Sequence, residues 1–346
     1  MYGIVPDVDM VAKRYKKEDY SFICGYMASR DKYLLTLEKL DRMLDSKALG
    51  DAVRVLQDLN YMDEAESIDA AEFESLLSRE LKKTYSLILP YVPDRSYFDI
   101  FLYPSDYHNV KTLLKAEFLG LRTNKYLMET GSVPTGELAD IVRGRYFEDM
   151  REEMARGIKE ALEEYSVSHD PQTIDLILDK ACYRDMSSLS AGLDSDFIKG
   201  YLTLRIDIIN LIAFIRIREM GKHRGFFSKV FIENGSIQED VFEEGFEEPI
   251  AEFAERLEPD RLRNALLESV KKIQEAGSVT VLEKLFDNLL LEYIKEARYI
   301  TYGIEPLIAY IAAKENEVKT VRIIMAGKLA GISPELIRER VRDTYA

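Results

Sequence analysis

FLYPSDYHNVKTLLKAEFLG (101–120), YLTLRIDIINLIAFIRIREMG (201–221) and YIAAKENEVKTVRIIMAGKLAG (310–331) lie over one another and decide the fold. Asn109, Asn210 and Glu317 fall at matching places, at intervals of 101 and 107 residues. Val110-Lys111-Thr112 recurs as Val318-Lys319-Thr320. Each segment continues as a helically spaced apolar run carrying a basic residue, Lys115, Arg216 or Arg322, and then meets a glycine: Gly120, Gly221 or Gly331. Glycine just past a periodic run is a helix stop, because it alone enters the left-handed conformation without penalty. Upstream of the second and third copies stand LDKAC (178–182) and LEKLF (282–286), which match in outline; upstream of the first the match fades.

Helical hairpin repeats recur every ~34 residues, and this period is about three times longer. Each unit is therefore a small helical domain rather than one hairpin of a solenoid. The expected division is 1–120, 121–221 and 222–346. Three similar sequential domains can close into a ring or cup by pseudo-threefold symmetry.

The rest of the chain agrees with an all-α class. In FEDMREEMARGIKEALEEY, Phe147, Met150, Met154, Ile158 and Leu162 recur at helical spacing, and period-2 alternation is scarce. Asp170-Pro171 and Ser333-Pro334-Glu335 read as a cap followed by proline in the first turn, and Thr135-Gly136 after Pro134 opens another helix. The 47% hydrophobic content supplies real cores.

Charge bounds the partners. With 62 acids against 47 bases, the net charge of -15 repels phosphate backbones and anionic lipid, so nucleic acid is a poor partner and a basic protein a good one. Cys24 and Cys182 have no spacing motif, which fits a reducing compartment. MYGIVPDVDMVAKRYKK (1–17) lacks the order of a signal peptide. The most apolar run, IDIINLIAFIRI (206–217), is short and carries Asp207 and Arg216, whereas a membrane span needs ~20 apolar residues.

Sites of chemistry are sparse. Asp106 and Asn109, like Asp207 and Asn210, stand three apart on one helix face, and their recurrence points to helix packing rather than to a ligand; Lys115 and Arg216 are their expected partners. His169-Asp170 is the one pair suggestive of a metal phosphohydrolase, but before Pro171 it reads as a helix boundary with Asp170 as cap. Zinc-ligand spacings, a phosphate loop and nucleophile motifs are missing, so no cofactor, metal or small-molecule substrate is expected. Glu243-Glu244 and Glu247-Glu248 read as solvated surface, and IENGSIQEDVFEEGFEEP (232–249) as an exposed acidic linker.

The three segments, with Asp106/Asn109, Asp207/Asn210 and the run Lys314-Glu315-Asn316-Glu317-Val318-Lys319 before Arg322, resemble the C subunits of the archaeal and bacterial V-type (A-type) rotary ATPases, relatives of the eukaryotic d subunit. The closing ISPELIRERVRDTYA (332–346) is also similar to that family. The resemblance covers most of the chain, less clearly the first ~80 residues and 223–260. It implies three helical domains forming a socket on the cytoplasmic face of the membrane rotor ring, bound there peripherally. That socket receives the central shaft and passes torque, without nucleotide or catalytic residues, for proton or sodium transport or ATP synthesis. The competing reading is an all-helical cytosolic adaptor with soluble partners.

Overall fold

The computed structural model describes residues 15–62, 72–121, 126–258, 260–276 and 280–346; most of the 1–17 stretch lies outside them. The described residues form α-helices joined by turns and 3-10 segments, with no β-strand among them. In chain order these are α1 (Ser21–Ala28), α2 (Leu37–Asp45), α3 (Leu49–Asp58), α4 (Phe73–Ile88), α5 (Ser96–Leu119), α6 (Thr135–Gly144), α7 (Glu152–Ser168) and α8 (Pro171–Gly192). They continue as α9 (Asp196–Glu219), α10 (Arg224–Val230), α11 (Glu239–Glu244), α12 (Ile250–Ala254), α13 (Asp260–Ala276), α14 (Thr280–Lys295), α15 (Glu305–Leu329) and α16 (Pro334–Arg340). The all-α class read from the sequence holds.

The three quoted segments are the three longest helices, α5, α9 and α15, of 24, 24 and 25 residues. Gly120, Gly221 and Gly331 all take φ between +63° and +69°. The residue after each donates its N–H back into the last turn: Leu121 to Ala116, Lys222 to Ile217 and Ile332 to Gly327, at 2.9–3.1 Å. This is the glycine-dependent stop that satisfies carbonyls otherwise left open. Asp170 caps α8 by accepting the Gln172 N–H at 2.9 Å, and Ser333 caps α16. The helix expected from Phe147 onward is broken. Phe147–Asp149 is a separate 3-10 turn and α7 begins at Glu152. Arg151, extended at the boundary, turns its guanidinium into a buried acidic cluster instead of continuing the helix.

Three apolar cores follow from how the long helices run. Their N-terminal halves converge: Phe98 and Phe101 of α5, Ile198 and Leu202 of α9, and Ile308 and Ile311 of α15 share one core with α7 and α8. The C-terminal half of α5 stays in that core through Val110, Leu113 and Leu114, while those of α9 and α15 leave it. Phe214 of α9 lies in a second core among Phe227, Phe242, Phe246 and Phe253, with ring centroids 4.5–5.6 Å away. Val321 and Met325 of α15 lie in a third with Met43, Leu56 and Leu77 of α2–α4. Each buried ring contributes about 1.5–3 kcal/mol. Phe242 and Phe246 are buried while Glu243, Glu244 and Glu247 face water. The 232–249 stretch is therefore not an exposed linker. Its acids are solvated, but Ile237, Phe242 and Phe246 help build the second core and Ile232 joins the first.

The helix preceding each long helix also packs against another long one: α8 lies on α5 as well as α9, α14 on α9 as well as α15, and α4 on α15. The last pairing joins the two ends of the chain. Helices α2–α4 thus complete the core that α15 begins, while α1 joins the first core.

Candidate functional site

Asp106 and Asn109, and Asp207 and Asn210, are buried on α5 and α9. Each pair grips the loop that leaves its own helix. Asn109 donates to the Met128 carbonyl at 2.8 Å and accepts the Met128 N–H at 2.7 Å. Asn210 does the same for Ile232, at 2.7 and 2.9 Å. Asp106 accepts from the Ser132 hydroxyl and the Val133 N–H; Asp207 accepts from Ser236 and Ile237. An amide side chain that satisfies both backbone groups of one residue replaces a ladder the loop cannot make for itself. Burial raises the Asp207 carboxyl above its ordinary range, against the lowering pull of Ser236 and Ile237.

The gripped loops repeat as well. Met128-Glu-Thr-Gly-Ser-Val133 and Ile232-Glu-Asn-Gly-Ser-Ile237 agree at Glu, Gly and Ser. The glycine is needed for close approach: a Cβ on Gly131 would stand 2.2 Å from Asp106 Oδ1, and one on Gly235 2.3 Å from Asp207 Oδ1. We expect Gly235→Ala to destabilise the protein by about 1–3 kcal/mol through this overlap. Gly50→Ala, on an exposed helical site with nothing within 4 Å, should be neutral or stabilising. Equal urea midpoints for the two variants would show that the Asp207 carboxylate yields freely.

On α15 the device changes chemistry. Lys314 stands where the aspartates stand and Glu317 where the asparagines stand. Glu317 accepts the Leu35 N–H at 2.6 Å and the Tyr61 hydroxyl at 2.7 Å; Lys314 reaches Glu317 at 2.7 Å, Glu80 at 3.3 Å and the Tyr33 carbonyl at 3.3 Å. Leu35 directly precedes the cap of α2, as Val133 and Ile237 precede those of α6 and α11. The gripped segment here comes from the N-terminal part of the chain.

Lys115 and Arg216 do not partner these pairs. Each lies nine residues beyond its aspartate, two and a half turns along and so on the opposite helix face. Lys115 pairs with Asp175 at 2.8 Å and Arg216 with Glu283. The cation at Asp106 is Arg151, which the sequence reading missed. It bonds Asp106 at 3.2 Å and Asp185 at 2.7 Å and lies 3.7 Å over the Tyr103 ring. Burial lowers its pKa, and Asp185 and Asp106 raise it by more. Glu315 accepts from the Tyr85 hydroxyl at 2.8 Å; burial raises its carboxyl, against the lowering effect of Arg205. Arg322 pairs with Glu74 at 2.9 Å, both half exposed, a contact worth little. His169 takes φ +51° at the end of α7, edge-on to Tyr165, and the Asp170 carboxylate is engaged as a cap. No group of three metal-ligating side chains occurs among the described residues, and no helix there is long and apolar enough to cross a membrane.

One groove stays open between α9 and α15. Ile209, Ile212, Ala213 and Arg216 sit at i, i+3, i+4 and i+7 on α9, facing Lys319, Ile323 and Ala326 of α15. The cavity measures about 810 Å3, and a second of about 260 Å3 continues it past the shared residues Ile209, Ile212, Asp287 and Lys319.

These features define a class: an all-helical protein whose buried polar residues tie long helices to the segments beside them. Within that class, the chain belongs to the ATP synthase (C/AC39) subunit family, which matches residues 23–340. It is 24% identical to the C subunit of the V-type sodium ATPase of Enterococcus hirae, over 94% of this chain and 99% of that one. It is 25% identical to the C subunit of the A-type ATP synthase of Methanocaldococcus jannaschii, over 92% and 85%, and 23% identical to that of Thermococcus kodakarensis, over 95% and 92%. The resemblance read from the repeat segments is confirmed. The family is one of non-catalytic ATPase subunits, and no catalytic family is indicated.

Proposed function

We propose that this chain is a central-stalk component of a V/A-type ATPase, a socket that couples the central shaft to the membrane rotor ring for proton or sodium transport or for ATP synthesis. Membership of the ATP synthase (C/AC39) family over 23–340 carries this reading. The packing supports it. A part that transmits torque needs stiffness, and here three long helices meet in one core while the distal halves of α9 and α15 are each anchored in a further core. The protein binds the ring peripherally on its cytoplasmic face, and each partner interface buries at least ~1,200 Å2.

The division into three units belongs to the same proposal. The boundaries 1–120, 121–221 and 222–346 put each long helix at the end of a unit. A grouping that follows the cores starts a unit at each of α5, α9 and α15 and completes the last with α2–α4, in a pseudo-threefold arrangement. Asp106/Asn109, Asp207/Asn210 and Lys314/Glu317 then serve as one clamp in each unit.

Affinity-tagged protein drawn from gently solubilised membranes of its source tests the function. Recovery of shaft subunits and ring proteolipid is the expected result. Recovery of soluble, unrelated proteins alone would overturn it and leave a helical adaptor.

A further inference from the structure

The open groove has a charge of its own. Arg216, Lys319, Arg340 and Arg342 line it against two acids, Glu283 and Asp287. Arg216 pairs with Glu283, Lys319 with Asp287, and Arg342 with both acids. Arg340 is exposed and makes no ion pair among the described residues. Four cations over two carboxylates leave the rim two charges positive in a chain of net charge -15. The floor is apolar: Ile209, Ile212, Ala213 and Ile323 are half-buried, with no covering element among the described residues.

Two facing helices, each with an i, i+3, i+4, i+7 or i, i+4, i+7 stripe left bare, form the kind of groove that takes the apolar face of a third helix. Head groups or free anions would use the cations but leave the isoleucines wet. A basic helix would be repelled at the rim. We propose that the groove receives an amphipathic helix of the shaft whose inward stripe is apolar and whose flanks carry Asp or Glu. Those carboxylates face Lys319 and Arg340 and lie near Arg216. The inference rests on the coupling reading for the source of the helix and on the groove alone for its chemistry. It reverses, at this site, what the acidic composition suggests about partners.

The test places a photo-crosslinking amino acid at Ala326, which is exposed in the groove, in the full tagged chain, and maps the crosslinked peptide after gentle solubilisation of membranes. The expected product is one shaft peptide with helically spaced apolar residues flanked by acids. Its yield should fall at least tenfold with Arg340→Glu, whose circular dichroism and melting stay those of the parent. A crosslink to lipid, to the ring or to a basic segment, no crosslink while ATPase components co-purify, or an unchanged yield in Arg340→Glu would each overturn the groove proposal and leave the coupling role standing. A crosslink to an acidic amphipathic helix of a protein outside the ATPase would keep the groove chemistry and overturn the coupling role.

Discussion

Asn210→Leu is expected to lower stability by roughly 3 kcal/mol, since each buried backbone group left without a partner costs ~1–3 kcal/mol. Leucine fills the volume but gives nothing back to the Ile232 N–H and carbonyl, both of which the asparagine satisfies. Asn210 is 0% exposed and Ile232, part of the first core, 6%, so water does not take over without opening that core. The first copy serves as an internal comparison. Asn109 makes the same two bonds, but to Met128, which is 45% exposed. Water can replace a lost partner there, and Asn109→Leu should cost clearly less. Urea denaturation of the two variants gives the ranking, and hydrogen exchange at the Ile232 amide gives the local effect. A protected Ile232 amide in Asn210→Leu, with an unchanged midpoint, would mean that the clamp is incidental to the fold.

Asn210 also shows how far the sequence reaches. Its register against Asn109 and Glu317 is visible as a repeat, and so are the helix-ending glycines, because periodicity and glycine chemistry are local. What the asparagine holds is not. Its partner is the backbone of Ile232, 22 residues on, and backbone groups leave no mark on composition. A weaker signal was available: METGSV (128–133) and IENGSI (232–237) share their Glu, Gly and Ser. The acids around IENGSI suggested exposure, though alternation of Phe with Glu equally suits a short helix with one buried side. Arg151 was hidden by its place in a helically spaced run, which disguised the break at α7. The fading of the repeat before α5 has a physical cause. The segments there pack on α15, and their clamp uses Lys314 and Glu317 in place of Asp and Asn. Similarity by residue type drops while similarity by role persists.

Lys314→Met is expected to have the larger effect, about 3–5 kcal/mol at neutral pH, because it strands buried carboxylates without their cation. Lys314 is 1% exposed, Glu80 and Glu317 each 4%. Glu317 keeps the Leu35 N–H and the Tyr61 hydroxyl in the variant, and Glu80 keeps Lys83, 3.3 Å from its other oxygen. Burial lowers the pKa of Lys314, and Glu317 and Glu80 raise it by more, so its net shift is upward from 10.5. A raised lysine contributes stability that is fully present below 10.5 and lost as pH climbs through the folded value, so the wild-type cluster is intact across the neutral range. The Glu80 carboxyl is raised from 4.5 by burial even with Lys314 in place. Without that ammonium it rises further, and a raised carboxyl favours folding below 4.5 and loses that contribution as pH climbs. The deficit of Lys314→Met relative to wild type should therefore be small near pH 4.5 and grow toward pH 8. Adding Glu80→Gln to the variant should recover part of the loss at pH 8 and little near pH 4.5. Denaturation midpoints at the two pH values decide it. A deficit independent of pH, or no rescue by Glu80→Gln, would show that the methionine acts through packing and that Lys314 does not neutralise the joint between the two ends of the chain.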